Sequence, residues 1–146
     1  FHTYKYLKNG IMKKYAGIIV RVNNKVLLCK RNAEGSLPGH WSCPAGSVED
    51  GENPLDGAIR EFNEETDLTL LKEPKFCGII KRTNRDGSKI KGEMYCYLYD
   101  TDEEMLPNLS TAKDGDEHTE CGYFGKDELP SPMTEQFNKL LKVILK

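Results

Sequence analysis

An α/β domain is the fold class that the sequence predicts, and three observations predict it. Two β-branched runs flank an asparagine pair, a helix opening on proline follows a Gly/Pro-rich stretch, and the chain closes on an amphipathic helical stripe. With 146 residues, 38% of them hydrophobic, the chain suits one compact domain with a real core, which excludes whole-chain disorder. That single domain is expected over residues 12–146, with 1–11 an extension or strand and Met12 an alternative start.

The elements follow in order. Tyr15–Val22 (YAGIIVRV) and Lys25–Cys29 (KVLLC) read as strands, and Asn23-Asn24 between them tolerates the positive φ of a tight hairpin. Gly35, Pro38 and Gly39, then Pro44, Ala45 and Gly46 around Trp41, read as loop and short strand. Pro54 takes the first turn of a helix capped by Asn53, with Asp56 three residues beyond the cap, and this helix should run to about Thr66. Phe76–Lys81 and Glu93–Tyr99 form a second hairpin around Asp86-Gly87. Thr101–Glu117 is a long acidic loop around at most a short element, and Cys121–Phe124 is one more strand. Met133, Phe137, Leu140, Leu141 and Ile144 recur at helical spacing after Ser131-Pro132, so the last helix packs its apolar stripe on the core.

No apolar run approaches the roughly 18 residues that a membrane helix requires, and the first residues lack an apolar export signal. A soluble cytoplasmic protein is expected. The five cysteines (Cys29, Cys43, Cys77, Cys96, Cys121) are odd in number and widely spaced, so reduced, mostly buried thiols are expected rather than a metal knuckle or disulfides. His40 and His118 are isolated in sequence and read as surface or hydrogen-bonded histidines.

Charge is distributed unevenly. Residues 46–68 hold eight of the 23 acids and one of the 21 bases, leaving 15 acids and 20 bases elsewhere. Such an acidic patch in a basic body suits a cation beside an anionic ligand. On a helix, Glu61, Glu64 and Glu65 fall within an arc of roughly 100°, beside an apolar face of Leu55, Ala58, Ile59 and Phe62. Like charges at these spacings cost about 0.2–0.5 kcal/mol per pair, and no lysine stands at the relieving offsets. A divalent ion, Mg²⁺ or Mn²⁺, would neutralise them, because carboxylate oxygens are hard ligands.

The segment from Gly46 to Leu68 (GSVEDGENPLDGAIREFNEETDL) resembles the Nudix box: Gly, five residues, Glu, seven residues, then Arg-Glu-apolar-any-Glu-Glu-any-Gly-apolar. Every specified position matches except the last Gly, which is Asp67, a residue that enters the left-handed region more readily than most. Leu27–Arg31, Trp41–Gly46 and Tyr123–Pro130 agree with the family outside the box, although Ala45 replaces a usual glycine.

That resemblance implies an α/β/α sandwich on a mixed sheet and hydrolysis of a phosphoanhydride in a nucleoside diphosphate linked to another group. It implies that Glu64 and Glu65 bind Mg²⁺ with the Gly46 carbonyl. Glu61 would be a ligand or the base, and Arg60 would orient a glutamate. A base from a later loop would be Glu117 or Glu120. Glu52 would support the loop, while Lys30 and Arg31 would either add positive charge to phosphates or stand as solvated bases at the strand end. Among the aromatic residues, Trp41, Tyr95, Tyr97 or Tyr123 is expected to stack a base, while most of the four pack in the core. Pro74 lies too close to the box to match ADP-ribose-cleaving members, so a nucleoside triphosphate, dinucleoside polyphosphate or nucleotide sugar stays open. The alternatives are a silent nucleotide-binding module and an RNA-cap hydrolase, the latter without an arginine-rich tract to favour it. The expected partner is a small nucleotide, with no membrane and no nucleic acid besides capped RNA.

Overall fold

The computed structural model describes residues 6–7, 10–84 and 88–146. Short strands β1 (Tyr6–Leu7) and β2 (Gly10–Ile11) pair antiparallel at the N-terminus. The body is a seven-stranded sheet of β3 (Lys13–Val22), β4 (Lys25–Arg31), β5 (Trp41–Ser42), β6 (Ala45–Ser47), β7 (Lys75–Thr83), β8 (Ile90–Asp100) and β9 (His118–Phe124). Its path runs β5-β4-β3-β8-β7, with β6 on β3 and β9 on β4. The central β3–β8 pair is parallel and its neighbours are antiparallel, so the sheet is mixed.

Alternation along β3 builds two cores. Ala16, Ile18, Val20 and Val22 face α1 (Pro54–Thr66) with Ala58 and Phe62. Tyr15 and Ile19 face α2 (Glu135–Ile144) with Phe137, Leu141 and Ile144. A strand covered on both sides needs the unbroken apolar run read in the sequence. The result is the α/β/α sandwich, and no helix among the described residues is long and apolar enough to cross a membrane.

The Asn23-Asn24 hairpin forms with φ of 50° and 61°, values that Asn accepts more easily than most residues. β7 and β8 pair antiparallel as expected, while the Asp86-Gly87 turn between them lies outside the described residues. Strand β9 begins three residues before the expected Cys121. The cysteine expectation fails for one pair. β4 and β9 set Cys29 directly opposite Cys121 with Cα atoms 4.1 Å apart, and the two are joined as a disulfide. Sequence spacing could not show this, because 92 residues separate them and only strand pairing brings them together. Cys43, Cys77 and Cys96 are free thiols.

Candidate active site

Helix α1 is fixed at both ends by its own sequence. Asn53 accepts the Asp56 N–H at 2.9 Å, and Asp67 closes the helix in the left-handed region at φ 62° and ψ 25°. The register so defined brings one face of α1 over β6, beside the Gly46 backbone. A Cβ on Gly46 would overlap the Glu61 carboxylate, so the glycine lets that side chain lie directly against the backbone.

Arg60 is the hub of the surrounding loop. Its Nε and Nη2 donate to both carboxylate oxygens of Glu52 at 2.9 and 3.0 Å, and Nη2 also donates to the Ser47 carbonyl at 2.9 Å. Its Nη1 donates to Glu61 at 3.1 Å and Glu64 at 3.0 Å. Glu52 in turn accepts the Glu49 N–H at 3.0 Å, which is the loop support expected of it. Lys113 reaches Glu64 at 3.6 Å from the long loop. The acidic stripe is thus partly neutralised by Arg60 and by a lysine distant in sequence, which corrects the expectation of an unrelieved cluster.

The three glutamates sit in different environments. Glu65 is buried at 1% exposure, where one oxygen accepts the Ala45 N–H at 3.2 Å and the other has no partner. Burial, then Glu117 and Glu61, hold its carboxyl well above the usual range. Glu61 is also raised, chiefly by burial, against the hydrogen bond from Arg60 that lowers it. Glu64 turns toward Arg60 and Lys113. As the side chains stand, no three His, Cys, Asp or Glu groups among the described residues converge on a single point.

His118 is buried with Nε2 at 3.5 Å from Glu65 and Nδ1 without a partner. Burial and the charge of Arg31 lower its pKa to about 4, so the ring is neutral at pH 7. Glu117, its neighbour, lines a cavity of about 270 Å³ with Gly46, Glu61, Arg31, Arg82 and Tyr15. Its carboxyl is raised by partial burial, then by Asp114 and Glu61. Glu120 is exposed on β9 opposite Lys30, and neither lines this cavity. Of the two later-loop glutamates, Glu117 alone is at the site.

Arg31 and Arg82 also line a second cavity of about 470 Å³ between the sheet and α2, with Trp41, Met94 and Phe137. Trp41 is buried edge-on against Phe124, ring centroids 5.2 Å apart, and forms part of the cavity wall. Tyr95 and Tyr97 pack with Phe76, and Tyr123 is tied through its hydroxyl to the Met105 backbone, so none of the three lines it. Arg82 and His118 were not singled out as site residues in the sequence. Strand alternation across β9 and β7 is the only signal that bears on them, and it does not say which face meets α1.

A family of known proteins matches this architecture. The NUDIX domain model covers residues 12–143. The chain belongs to the Nudix family. Among its relatives, this Nudix chain is 27% identical over 104 residues to an uncharacterized Nudix hydrolase, YvcI, of Bacillus subtilis, covering 71% of the chain and 63% of that relative. It is 29% identical to an ADP-ribose pyrophosphatase of Methanocaldococcus jannaschii, covering 88% and 76%. The crystal structure of a MutT Nudix hydrolase from Burkholderia pseudomallei superposes with a TM-score of 0.74 at 22% identity, covering 89% and 95%. At that identity the likeness concerns the fold, and it establishes the Nudix sandwich.

Proposed function

We propose that this Nudix domain hydrolyses a phosphoanhydride bond in a nucleoside diphosphate linked to another group, with a divalent ion, Mg²⁺ by preference. Relatives named RNA pyrophosphohydrolase, 8-oxo-dGTP diphosphatase and ADP-ribose pyrophosphatase differ in the attached group and share a phosphoanhydride chemistry. The observation that carries the reading is the buried Glu65 oxygen without a partner, one helical turn from Glu61, whose carboxylate lies against the Gly46 backbone. A buried, partnerless carboxylate oxygen is costly unless a cation meets it. Glu61, Glu64, Glu65 and the Gly46 carbonyl are the groups that would hold the ion. When bound, a divalent ion lowers the pKa of a water and neutralises phosphate oxygens.

The chain's own residues do the rest. Arg60 orients Glu61 and Glu64, and its release of Glu64 frees that carboxylate for the site. The Glu117 carboxylate, lining the same cavity as Glu61, accepts the proton of the attacking water. The cavity under α2, with its apolar wall of Trp41, Met94 and Phe137, takes the nucleobase.

A panel of nucleoside triphosphates, dinucleoside polyphosphates, nucleotide sugars, ADP-ribose and capped RNA, assayed with Mg²⁺ and with both products identified, tests the reading. Turnover of at least one substrate, abolished by chelation, is expected. Undiminished turnover after exhaustive chelation would overturn the metal assignment, and binding without turnover across the panel would leave the domain a silent nucleotide-binding module.

A further inference from the structure

His118 is a buried polar side chain that the reaction as described leaves without a task. Its side chain is 2% exposed, Nε2 lies 3.5 Å from Glu65 Oε1, and Nδ1 has no hydrogen-bond partner among the described residues. The backbone fixes where this ring stands. His118 follows a single 3₁₀ turn, Gly115–Glu117, and its N–H returns to the Gly115 carbonyl. On one side of the turn the Asn32 N–H, just after β4, donates to the Glu117 carbonyl at 2.9 Å, and on the other the Asp114 N–H donates to the Glu64 carbonyl of α1 at 2.7 Å. The turn is thus tied to β4 and to α1 at once, and the imidazole is held against Glu65.

Geometry decides which ring nitrogen carries the proton. A neutral imidazole has one N–H and one lone pair to place. With the proton on Nδ1, that N–H would be buried without an acceptor, and the Nε2 lone pair would face the lone pairs of Glu65 Oε1. Both contacts are unfavourable. With the proton on Nε2, the N–H points at Oε1 and only the Nδ1 lone pair goes unmet. Oε1 also accepts the Ala45 N–H at 3.2 Å, whereas Oε2 is buried and bare. Two donors therefore converge on one oxygen of Glu65 and set the plane of its carboxyl group, which leaves the other oxygen open.

We infer that His118 is a positioning residue, which donates from Nε2 to Glu65 Oε1 and so keeps Oε2 as the oxygen offered to the divalent cation. The inference rests on the reading of Glu65 as a ligand of that cation. His118 acts through Glu65 alone. Removing an outer partner that orients a ligating group costs about 10–100-fold in metal affinity.

The test uses the whole chain titrated with Mn²⁺, with the free ion counted by electron paramagnetic resonance. His118→Phe keeps a buried ring and removes the N–H, whereas His118→Gln returns an amide N–H near the place of Nε2. Mn²⁺ binding should weaken about tenfold or more in His118→Phe and stay within about threefold of wild type in His118→Gln. A role in packing alone would instead lower the metal-free melting temperature and leave Mn²⁺ affinity unmoved. In the metal-free wild type at pH 7, long-range ¹H–¹⁵N spectra should show the protonated nitrogen of His118 coupled to both ring carbon protons, the mark of an Nε2–H ring. The signals of His118 are those lost in His118→Gln, which separates them from His2 and His40. Mn²⁺ binding by His118→Phe within about twofold of wild type, equal weakening in both variants, or a proton on Nδ1 would overturn the inference. If His118→Phe fails to fold, the ring spectrum of the wild type decides. The two readings fail differently: no Mn²⁺ binding by wild type would remove the metal site and the positioning role with it, whereas Mn²⁺ binding indifferent to His118 would remove the positioning role alone.

Discussion

Replacing Glu65 by glutamine distinguishes a ligand from a structural carboxylate by the sign of its effect on stability. The amide preserves the shape and the oxygen that accepts the Ala45 N–H at 3.2 Å. What disappears is a charge that burial penalises and that Glu117 and Glu61 repel. Relief of about 1–2 kcal/mol is expected without metal at pH 7–8, or about 3–6 °C in melting temperature for a chain of this size. The pH dependence has a definite sign. Because the folded protein raises this carboxyl above its ordinary 4.5, wild type and variant should be equally stable below that pH, and wild type should fall behind as pH rises through the raised value. Thermal melts in EDTA from pH 4 to 9, repeated with Mg²⁺, measure this, and turnover should fall by about 10²-fold or more. A metal-free melting temperature lower in the variant at pH 8, or wild-type turnover, would refute the reasoning.

Three further outcomes follow from the geometry. Glu64→Gln should cost about 0–1 kcal/mol of metal-free stability, opposite in sign to Glu65→Gln, because it weakens half-exposed pairs with Arg60 and Lys113; paired denaturant titrations compare them. Arg21 binds both oxygens of Asp100 at 2.7 and 2.9 Å and lowers its pKa below 3.8, so the deficit of Asp100→Asn, about 0.5–1 kcal/mol, should be constant above pH 5 and vanish as acid protonates Asp100. Thiol titration of the unreduced, denatured chain should count three cysteines, and five after reduction; reduction should destabilise the fold by about 2–4 kcal/mol, since the bridge closes a loop of about 90 residues.

Helix α1 was legible because its information is local. Asn53, Pro54 and Asp67 each act on backbone within four residues, and the spacing of Glu61, Glu64 and Glu65 along one face needs only helical periodicity. The hairpin at Asn23-Asn24 was legible for the same reason. What stayed hidden depends on contacts between distant strands. Periodicity put Glu65 on an acidic stripe, whereas the stripe's edge turns under β6 and buries that residue at 1% exposure. Glu117 and Glu120 were equivalent in sequence; the pairing of β9 on β4, which sets Glu120 opposite Lys30, is what separates them. Lys113, His118, Arg82 and the Cys29–Cys121 bridge likewise reach their partners only through tertiary pairing.

The carbonyls at the end of α1 are satisfied by the loop between β8 and β9. Asn108 N–H donates to the Thr66 carbonyl at 2.9 Å, Asp114 N–H to the Glu64 carbonyl at 2.7 Å, and Thr111 Oγ1 to Asp67 at 2.6 Å. A helix end tied in this way cannot fray by itself, because each lost turn also releases the loop. The last turn of α1 and residues 108–114 therefore open as one cooperative unit. Amide hydrogens of Asp67, Asn108 and Asp114 should exchange with a common opening free energy, and an insertion in this loop should loosen the end of α1 that carries Glu64 and Glu65.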